Sequence, residues 1–321
     1  ENGINRLKLD NGEFVYADLF IDCTGFKSML LGGALQEPFI SFSEMLPNNS
    51  AWATRIPYTD KEKQLEPFTD CHAIENGWVW NIPLWSRLGT GYVYSDKYVS
   101  DAAALEEFKR HLTSKGHDVS HLEFKNIKMR VGIHERLWVK NVVAIGLSAG
   151  FIEPLESNGL YSVHMFLVRL LRAIDRDKEE HRVTQFDKDG YNWACRVIFD
   201  NFAQFVAMHY SLSLRDDTEY WRDAGSRSYC GVEKSLQRGV SRNESFIGAF
   251  ESKYITTRFP DDGINAVATG LNHFPTDMHY IHAMNMDNTN LAEEFIGITK
   301  RLNAKKDYWD YLLMSLRVKR L

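Results

Sequence analysis

Two tryptophans set two positions apart are the first residues of this chain whose spacing points to a shared task. They open the run Trp78-Val79-Trp80-Asn81-Ile82-Pro83. Successive side chains of a β-strand point to opposite faces, so both indoles would lie on one face. The spacing alone favours an aromatic pair in a core, because most tryptophans are largely buried.

A glycine-rich segment is the second candidate for chemistry. It runs Gly146-Leu147-Ser148-Ala149-Gly150-Phe151-Ile152-Glu153-Pro154-Leu155-Glu156-Ser157-Asn158-Gly159. Its small residues let the backbone turn tightly or lie against a ligand, and Ser157 is the expected cap of a following helix. The unpaired N–H groups and positive dipole end of that helix would attract an anion beside Asn158 and Gly159. An ordinary capped helix after a tight turn is the alternative interpretation.

The same segment satisfies G-x-S-x-G, the strained elbow that presents a nucleophilic serine. An elbow serine stands between a strand and a helix that begins at once. Here Phe151 to Glu156, with Pro154 among them, intervene after Ser148. The context therefore argues against a serine hydrolase, which stays as the alternative from another class.

The elements that must position these residues follow from the apolar pattern. A strand from Phe14 to Asp22 is expected to be buried on both faces near its end, where Thr24 and Gly25 turn the chain. Another strand, Asn141 to Gly146, leads into the glycine-rich segment. The other predicted elements are strands at Ile4–Leu9, Ser50–Ile56, Trp78–Pro83 and Gly89–Tyr94 and a helix from Asp101 to about Lys115.

The helix after Ser157 is expected to bury one apolar face. Its apolar residues recur at intervals of three and four; they are Leu160, Val163, Phe166, Leu167, Leu170, Leu171 and Ile174. A second helix is indicated from Tyr191 onward. We predict a mixed α/β fold with a sheet region at 1–180 and a mainly helical region at 181–321.

Composition excludes several classes of function. The 321 residues are 44% apolar and carry a net charge of -5, so nothing favours binding to nucleic acid or an anionic membrane. Four scattered cysteines fit neither a zinc site nor a disulfide scaffold and suggest a cytoplasmic protein. No metal site is predicted, because His134-Glu135 is followed by Trp138 where a second histidine would be needed.

The Trp78–Pro83 run matches the W-x-W-x-I-P signature of the flavin-dependent halogenases, and the chain resembles that family. Gly146–Gly159 is similar to the family's flavin and halide segment, and Asp18–Phe26 to its strand and turn at the cofactor. His209–Arg222 resembles the segment that encloses the aromatic substrate in tryptophan halogenases. The resemblance covers residues 14 to about 222. It places the G-x-G-x-x-G fingerprint and the family's lysine upstream of Glu1.

The resemblance implies that reduced FAD and dioxygen oxidise a bound halide to hypohalous acid, which then halogenates an aromatic ring. Glu156 and Ser157 would be catalytic, Asn158 and Gly159 would bind the halide, and Tyr210 and Trp221 would enclose the substrate. The residues implied in cofactor binding are Thr24, Gly25, Gly146, Ser148, Ala149, Gly150, Phe151 and Ile152.

Partners also follow from the resemblance. The cofactor must arrive reduced, so a separate flavin reductase is expected. The expected substrate is an electron-rich aromatic compound, namely an indole, a tryptophan-like compound or a phenol. Asp216 and Tyr220 differ from the pattern of an enzyme strict for free tryptophan, which leaves another indole or a phenol open. The sequence leaves oligomeric state open, a homo-oligomer included, and a non-catalytic fragment of the fold is a further alternative.

Overall fold

The structure is a computed structural model that describes residues 3–176 and 182–227, together with Val267. Its helices are α1 (Lys61–Gln64), α2 (Asp101–Ser114), α3 (Asn158–Ile174), α4 (Gln185–Ser211) and α5 (Glu219–Ser226). Its strands are β1 (Leu7–Lys8), β2 (Phe14–Val15), β3 (Phe20–Asp22), β4 (Phe39–Ser41), β5 (Ser50–Ile56), β6 (Asp70–Ile74), β7 (Gly77–Pro83), β8 (Leu88–Tyr94), β9 (Lys125–Lys128), β10 (Gly132–His134), β11 (Trp138–Val139), β12 (Val142–Ala144) and β13 (Gly150–Phe151). The mixed α/β fold is as predicted.

A five-stranded antiparallel sheet, in the order β6-β7-β8-β5-β9, forms the largest layer. On one face it packs against α2, where Phe108 and Leu112 meet Val79 and Tyr92 in a separate small core. The predicted strands at Ser50–Ile56, Trp78–Pro83 and Gly89–Tyr94 and the helix from Asp101 are confirmed, each to within a residue or two.

A second sheet, β11-β12-β3, contains the one parallel pair of strands among the described residues, β12 with β3. The prediction of a single strand from Phe14 to Asp22 is wrong, because β2 and β3 are separate and β2 pairs with β1 instead. Ile21 is 48% exposed, so the end of this segment is not buried on both faces. The side chains alternate across β3, and Phe20 and Asp22 take the buried face.

α3 buries a narrower stripe than its apolar pattern predicts. The buried residues are Asn158, Ser162, Phe166 and Leu170, at intervals of four. Leu160 and Leu171 are 76% and 64% exposed, so the expectation of one buried face that includes them is wrong. Among the described residues, α3 packs mainly on α4 and on the turns at Gly146–Ser148 and Pro154–Glu156, which cover only this stripe.

α4 joins the sheets and α3 in one core. Its Phe199 packs against Phe42 and Phe166, with ring centroids 6.3 and 6.2 Å apart. Asn192 accepts the backbone N–H groups of Leu137 and Trp138 at 2.8 and 2.7 Å. The helix predicted from Tyr191 is confirmed and begins earlier, at Gln185. Predictions beyond residue 227 lie outside the described residues.

Among the described helices, none combines the length and the apolar character that crossing a bilayer requires.

Candidate functional site

β7 presents Trp78 and Trp80 on the face of the sheet turned away from α2 and toward the main core. Their rings lie 6.1 Å apart at 60°, which confirms the expected shared face. Gly91 stands opposite Trp80 on β8, where a Cβ atom would lie 2.1 Å from the Trp80 ring. Glycine is therefore needed at position 91 for the ring to lie across the sheet.

Ile82 and Pro83, at the far end of β7, do not join this site. Ile82 is 37% exposed. Pro83 lines a different cavity, of about 340 Å³, beside His111. Of the run Trp78–Pro83, the two tryptophans therefore lie at the site, and Ile82 and Pro83 lie outside it.

A fully buried carboxylate, Glu153, ties three parts of the chain together. Its Oε2 accepts hydrogen bonds from Asn48 Nδ2 at 2.7 Å, Tyr210 OH at 2.7 Å and Trp78 Nε1 at 3.0 Å. Burial raises the pKa of Glu153, while the three donors act in the opposite direction. Tyr220 OH donates to Asn48 Oδ1 at 3.1 Å and extends the network. The indole of Trp78 and the phenol of Tyr210 are fixed by one oxygen atom.

An aromatic pocket of about 520 Å³ opens beside this network. It is lined by Cys71, Ala73, Trp78, Leu155, His209, Tyr210, Ser213, Leu214, Arg215 and Trp221. Trp221 is held by its Nε1, which donates to Ile74 O at 2.7 Å, and the Arg215 guanidinium lies 4.7 Å from its ring centroid. The structure therefore brings Tyr210 and Trp221 together with Trp78 on one cavity.

Glu156 lies at the end of a 3-10 turn, Pro154–Glu156, just before α3. Its Oε1 lies 2.7 Å from Nε2 of His209, whose Nδ1 lies 2.9 Å from Phe205 O. His209 lines the aromatic pocket, and Glu156 itself is not among the lining residues. The carboxylate thus reaches the pocket's edge through its contact with His209.

Ser157 is the N-cap residue of α3, as predicted. It has a left-handed backbone with φ of 53° and makes no side-chain capping hydrogen bond. Because it ends the preceding 3-10 turn, its conformation serves the turn rather than the helix. Asn158 is 7% exposed and its buried Nδ2 has no partner among the described residues. A Cβ on Gly159 would meet no atom within 4 Å.

The turn after β3 is built on a buried carboxylate, Asp22. Its Oδ1 accepts the Thr24 hydroxyl at 2.6 Å and Thr24 N at 3.0 Å, and its Oδ2 accepts Leu30 N and Leu31 N, both at 2.9 Å. Burial acts to raise the pKa of Asp22, but these hydrogen bonds hold it below its usual value. Asp22 thereby organises the chain around Gly25.

The turn after β12 packs directly on that one. Ile145 N donates to Asp22 O at 3.0 Å, and the single hydroxyl hydrogen of Ser148 is shared between Asp22 O and, at 2.9 Å, Ile145 O. Ser148 is fully buried. A hydroxyl whose hydrogen is engaged by two backbone carbonyls is poorly placed as a nucleophile, and this argues further against a serine hydrolase. Phe151 to Glu156 lie between Ser148 and the start of α3, as expected.

The parallel β3 and β12 place the two turns side by side at their carboxyl ends, where open α/β sheets bind cofactors. Gly25 and Gly146 have φ of 70° and 72°, conformations that favour glycine. A Cβ on Gly25 would meet no atom within 4 Å, so a flavin has room to approach this backbone. The ring of Phe151 packs edge-on against Phe26 beside it, at 5.2 Å. These residues fit the FAD group that the resemblance implies.

Sequence reasoning missed three residues of this site. Asp22, Glu153 and His209 each make contacts that spacing does not reveal. Two of them left a signal: Asp22 and Glu153 are carboxylates that directly follow apolar runs, where an ionisable group requires partners. The pairing of His209 with Glu156 spans 53 positions and leaves no local signal.

Known proteins match the chain over most of its length. It is 41% identical over 219 residues to tryptophan 7-halogenase KtzQ of Kutzneria sp. (strain 744), which covers 68% of this chain and 40% of that protein. It is 39% identical over 225 residues to tryptophan 6-halogenase SttH of Streptomyces toxytricini, with 70% and 41% covered. The chain therefore spans about two fifths of the length of these relatives.

Solved structures agree with the sequence matches. The crystal structure of SttH superposes with a TM-score of 0.75 at 30% identity, over 97% of this chain and 60% of that one. The apo structure of VirX1 gives 0.74 at 37% identity, over 93% and 57%. The sequence model described as tryptophan halogenase matches residues 1–286. The chain belongs to the tryptophan halogenase family.

Proposed function

We propose that the protein is a flavin-dependent halogenase, which uses reduced FAD, dioxygen and a halide to halogenate an electron-rich aromatic ring. One observation carries the proposal. Glu153 fixes Trp78 and Tyr210 of an aromatic pocket, while Glu156, three residues later, holds a carboxylate at the pocket's edge and directly before the start of α3. One short segment, residues 153–159, thus supplies the acceptor that fixes two walls of the aromatic cavity, a base at its edge and an anion-attracting helix end.

The residues proposed to hold FAD are those of the two adjoining turns. Gly25 and Gly146 give the flavin access to the backbone, and Thr24 is fixed by Asp22 beside it. The remaining cofactor residues of this proposal are Ser148, Ala149, Gly150, Phe151 and Ile152. When bound in its reduced form, FAD supplies, together with dioxygen, the oxidising power that turns halide into hypohalous acid. A separate reductase would deliver it.

Asn158 and Gly159 are proposed to hold the halide. They begin a helix of 17 residues, whose first N–H groups and positive dipole end favour an anion. The buried Nδ2 of Asn158 is a further donor without a described partner. Open space beside Gly159 allows the anion to approach the backbone closely.

The ring would be halogenated in the aromatic pocket. Hypohalous acid delivers its halogen to a ring carbon as the oxygen–halogen bond breaks, and its hydroxide takes up a proton and leaves as water. Glu156 then accepts the proton of the halogenated carbon, whose C–H electron pair returns to the ring. The negative charge of Glu156 also stabilises the cationic ring before that step. Indoles and phenols suit walls made of Trp78, Tyr210 and Trp221.

Halide oxidation can be tested apart from the organic substrate. The full-length protein is supplied with FAD, a flavin reductase, bromide and catalase, and hypobromous acid is trapped with a chromogenic acceptor. We expect trapping that depends on protein and on bromide. Flavin oxidation that yields only hydrogen peroxide at every bromide concentration would contradict the proposal.

A further inference from the structure

Glu156 and His209 share a proton, and hydrogen-bond chemistry shows between which two atoms this proton lies. Nδ1 of His209 lies 2.9 Å from Phe205 O, and a carbonyl can only accept, so Nδ1 carries a hydrogen. In a neutral ring Nε2 would then present a lone pair. At 2.7 Å from Oε1 of Glu156, two lone pairs would face each other. One proton must lie between these atoms.

The proton belongs on the imidazole. Imidazole is a stronger base than a carboxylate, and His209 stands near two carboxylates rather than one. The charge of His209 acts on buried Glu153 as well, in the direction that favours the ionised carboxylate. His209 is also largely shielded, since 18% of its side chain is exposed, so the charge-assisted hydrogen bond is only partly screened by water.

We infer that His209 is the positioning residue of the reaction proposed above: as an imidazolium it holds the carboxylate of Glu156, through a charge-assisted hydrogen bond, at the edge of the aromatic pocket. This inference rests on the proposed function. His209 uses both ring nitrogens in fixed hydrogen bonds, so it does not itself take the ring proton. It occupies Oε1 of Glu156 and leaves Oε2 to receive that proton. About a third of the Glu156 side chain is exposed, which lets the proton pass on to solvent.

The protonation state can be read without any turnover. The full-length protein is labelled with ¹⁵N-histidine, and the His209 signals are assigned by their loss in His209→Asn. We expect both ring nitrogens of His209 to carry hydrogen in the wild-type protein. In Glu156→Gln, only Nδ1 should carry one, because Gln can donate to Nε2. A wild-type His209 protonated at Nδ1 alone would overturn the inference.

Kinetics then test the positioning role. His209→Gln can still donate an N–H group to Glu156 but carries no charge. We expect kcat for ring halogenation to fall about tenfold or more, while KM for bromide and the rate of hypobromous acid trapping stay at wild-type values. The matched control is His164→Gln, at an exposed position on α3, which should behave as wild type. Equal losses in trapping and in ring halogenation would show a merely structural role.

The proposed function and the inference about His209 can be contradicted independently of each other. If the wild-type protein halogenates no ring, the proposed function is wrong, and the NMR experiment still reports the His209 proton. If the wild type halogenates and His209→Gln matches its kcat, the inference about His209 alone is wrong.

Discussion

Two glutamates three residues apart have opposite surroundings. Glu153 is fully buried and gives three donors one shared acceptor, whereas the Glu156 side chain is one third exposed and meets His209. A carboxylate locked by three partners is a structural element. A carboxylate with one partner and access to solvent can exchange a proton. Supporting the pocket walls and the proposed proton transfer thus fall to different residues, Glu153 and Glu156.

Removing the buried carboxylate should cost stability first. Glu153→Ala leaves the donors of Asn48, Trp78 and Tyr210 without their acceptor, and we expect the free energy of unfolding to fall by about 3 kcal/mol or more. Glu153→Gln keeps an acceptor oxygen and should cost about 1 kcal/mol. Urea unfolding of the full-length protein measures both, with exposed Glu44→Ala as the control. Equal stability of Glu153→Ala and Glu44→Ala would contradict the proposed locking of the pocket walls.

Removing the charge of Glu156 should leave the fold intact and slow halogenation of the substrate ring. Glu156→Gln keeps size and hydrogen bonding, so flavin binding and hypohalous acid formation should persist while ring halogenation falls by about 10²-fold or more. Product formation and hypohalous acid trapping, measured on one preparation, separate the two steps. Wild-type halogenation, or a loss of flavin binding, would show that the proposed role of Glu156 is wrong.

Among the elements, the turn after β3 depends on ionisation. The folded state holds the pKa of Asp22 below that of an unfolded aspartate, about 3.9. The stability it contributes is therefore fully present above that value and is lost as the pH falls toward and through the folded pKa. Unfolding measured from neutral to acid pH should show this loss.

Asp22→Asn tests the source of that dependence. The amide replaces one oxygen, and backbone N–H groups lose their acceptor at a cost of about 1–3 kcal/mol each. Its stability at neutral pH should be lower, and its decline in acid should be smaller than that of the wild type. An unchanged acid profile would mean that other carboxylates control it.

Sequence patterns predicted these elements unevenly, for physical reasons. β5, β7, β8 and α2 were predicted to within a residue or two because the spacing of apolar residues and the turn residues are local signals. The left-handed backbone of the Ser157 cap and the exposure of Leu160 were not predicted, because a cap's backbone angle and a residue's burial depend on what packs nearby. The Glu153 and His209 contacts could not be predicted, because their partners lie 53 to 105 positions away.

At the scale of the whole molecule, one core unites the parts that the function needs. Residues of the Trp-x-Trp strand, the β12 turn, α3 and α4 belong to a single hydrophobic cluster. This shared core holds the two proposed cofactor turns and the walls of the aromatic pocket in one packed unit.

Product analysis tests the central claim most directly. The full-length protein, with FAD, a flavin reductase, dioxygen and bromide, is incubated with a panel of indoles and phenols, and the products are identified by mass spectrometry. We expect monobrominated products, absent without bromide or without protein, from at least one electron-rich member of the panel. Hydroxylated products alone would indicate a monooxygenase, and no product from any member would indicate a non-catalytic protein of the same fold; either result would contradict the account.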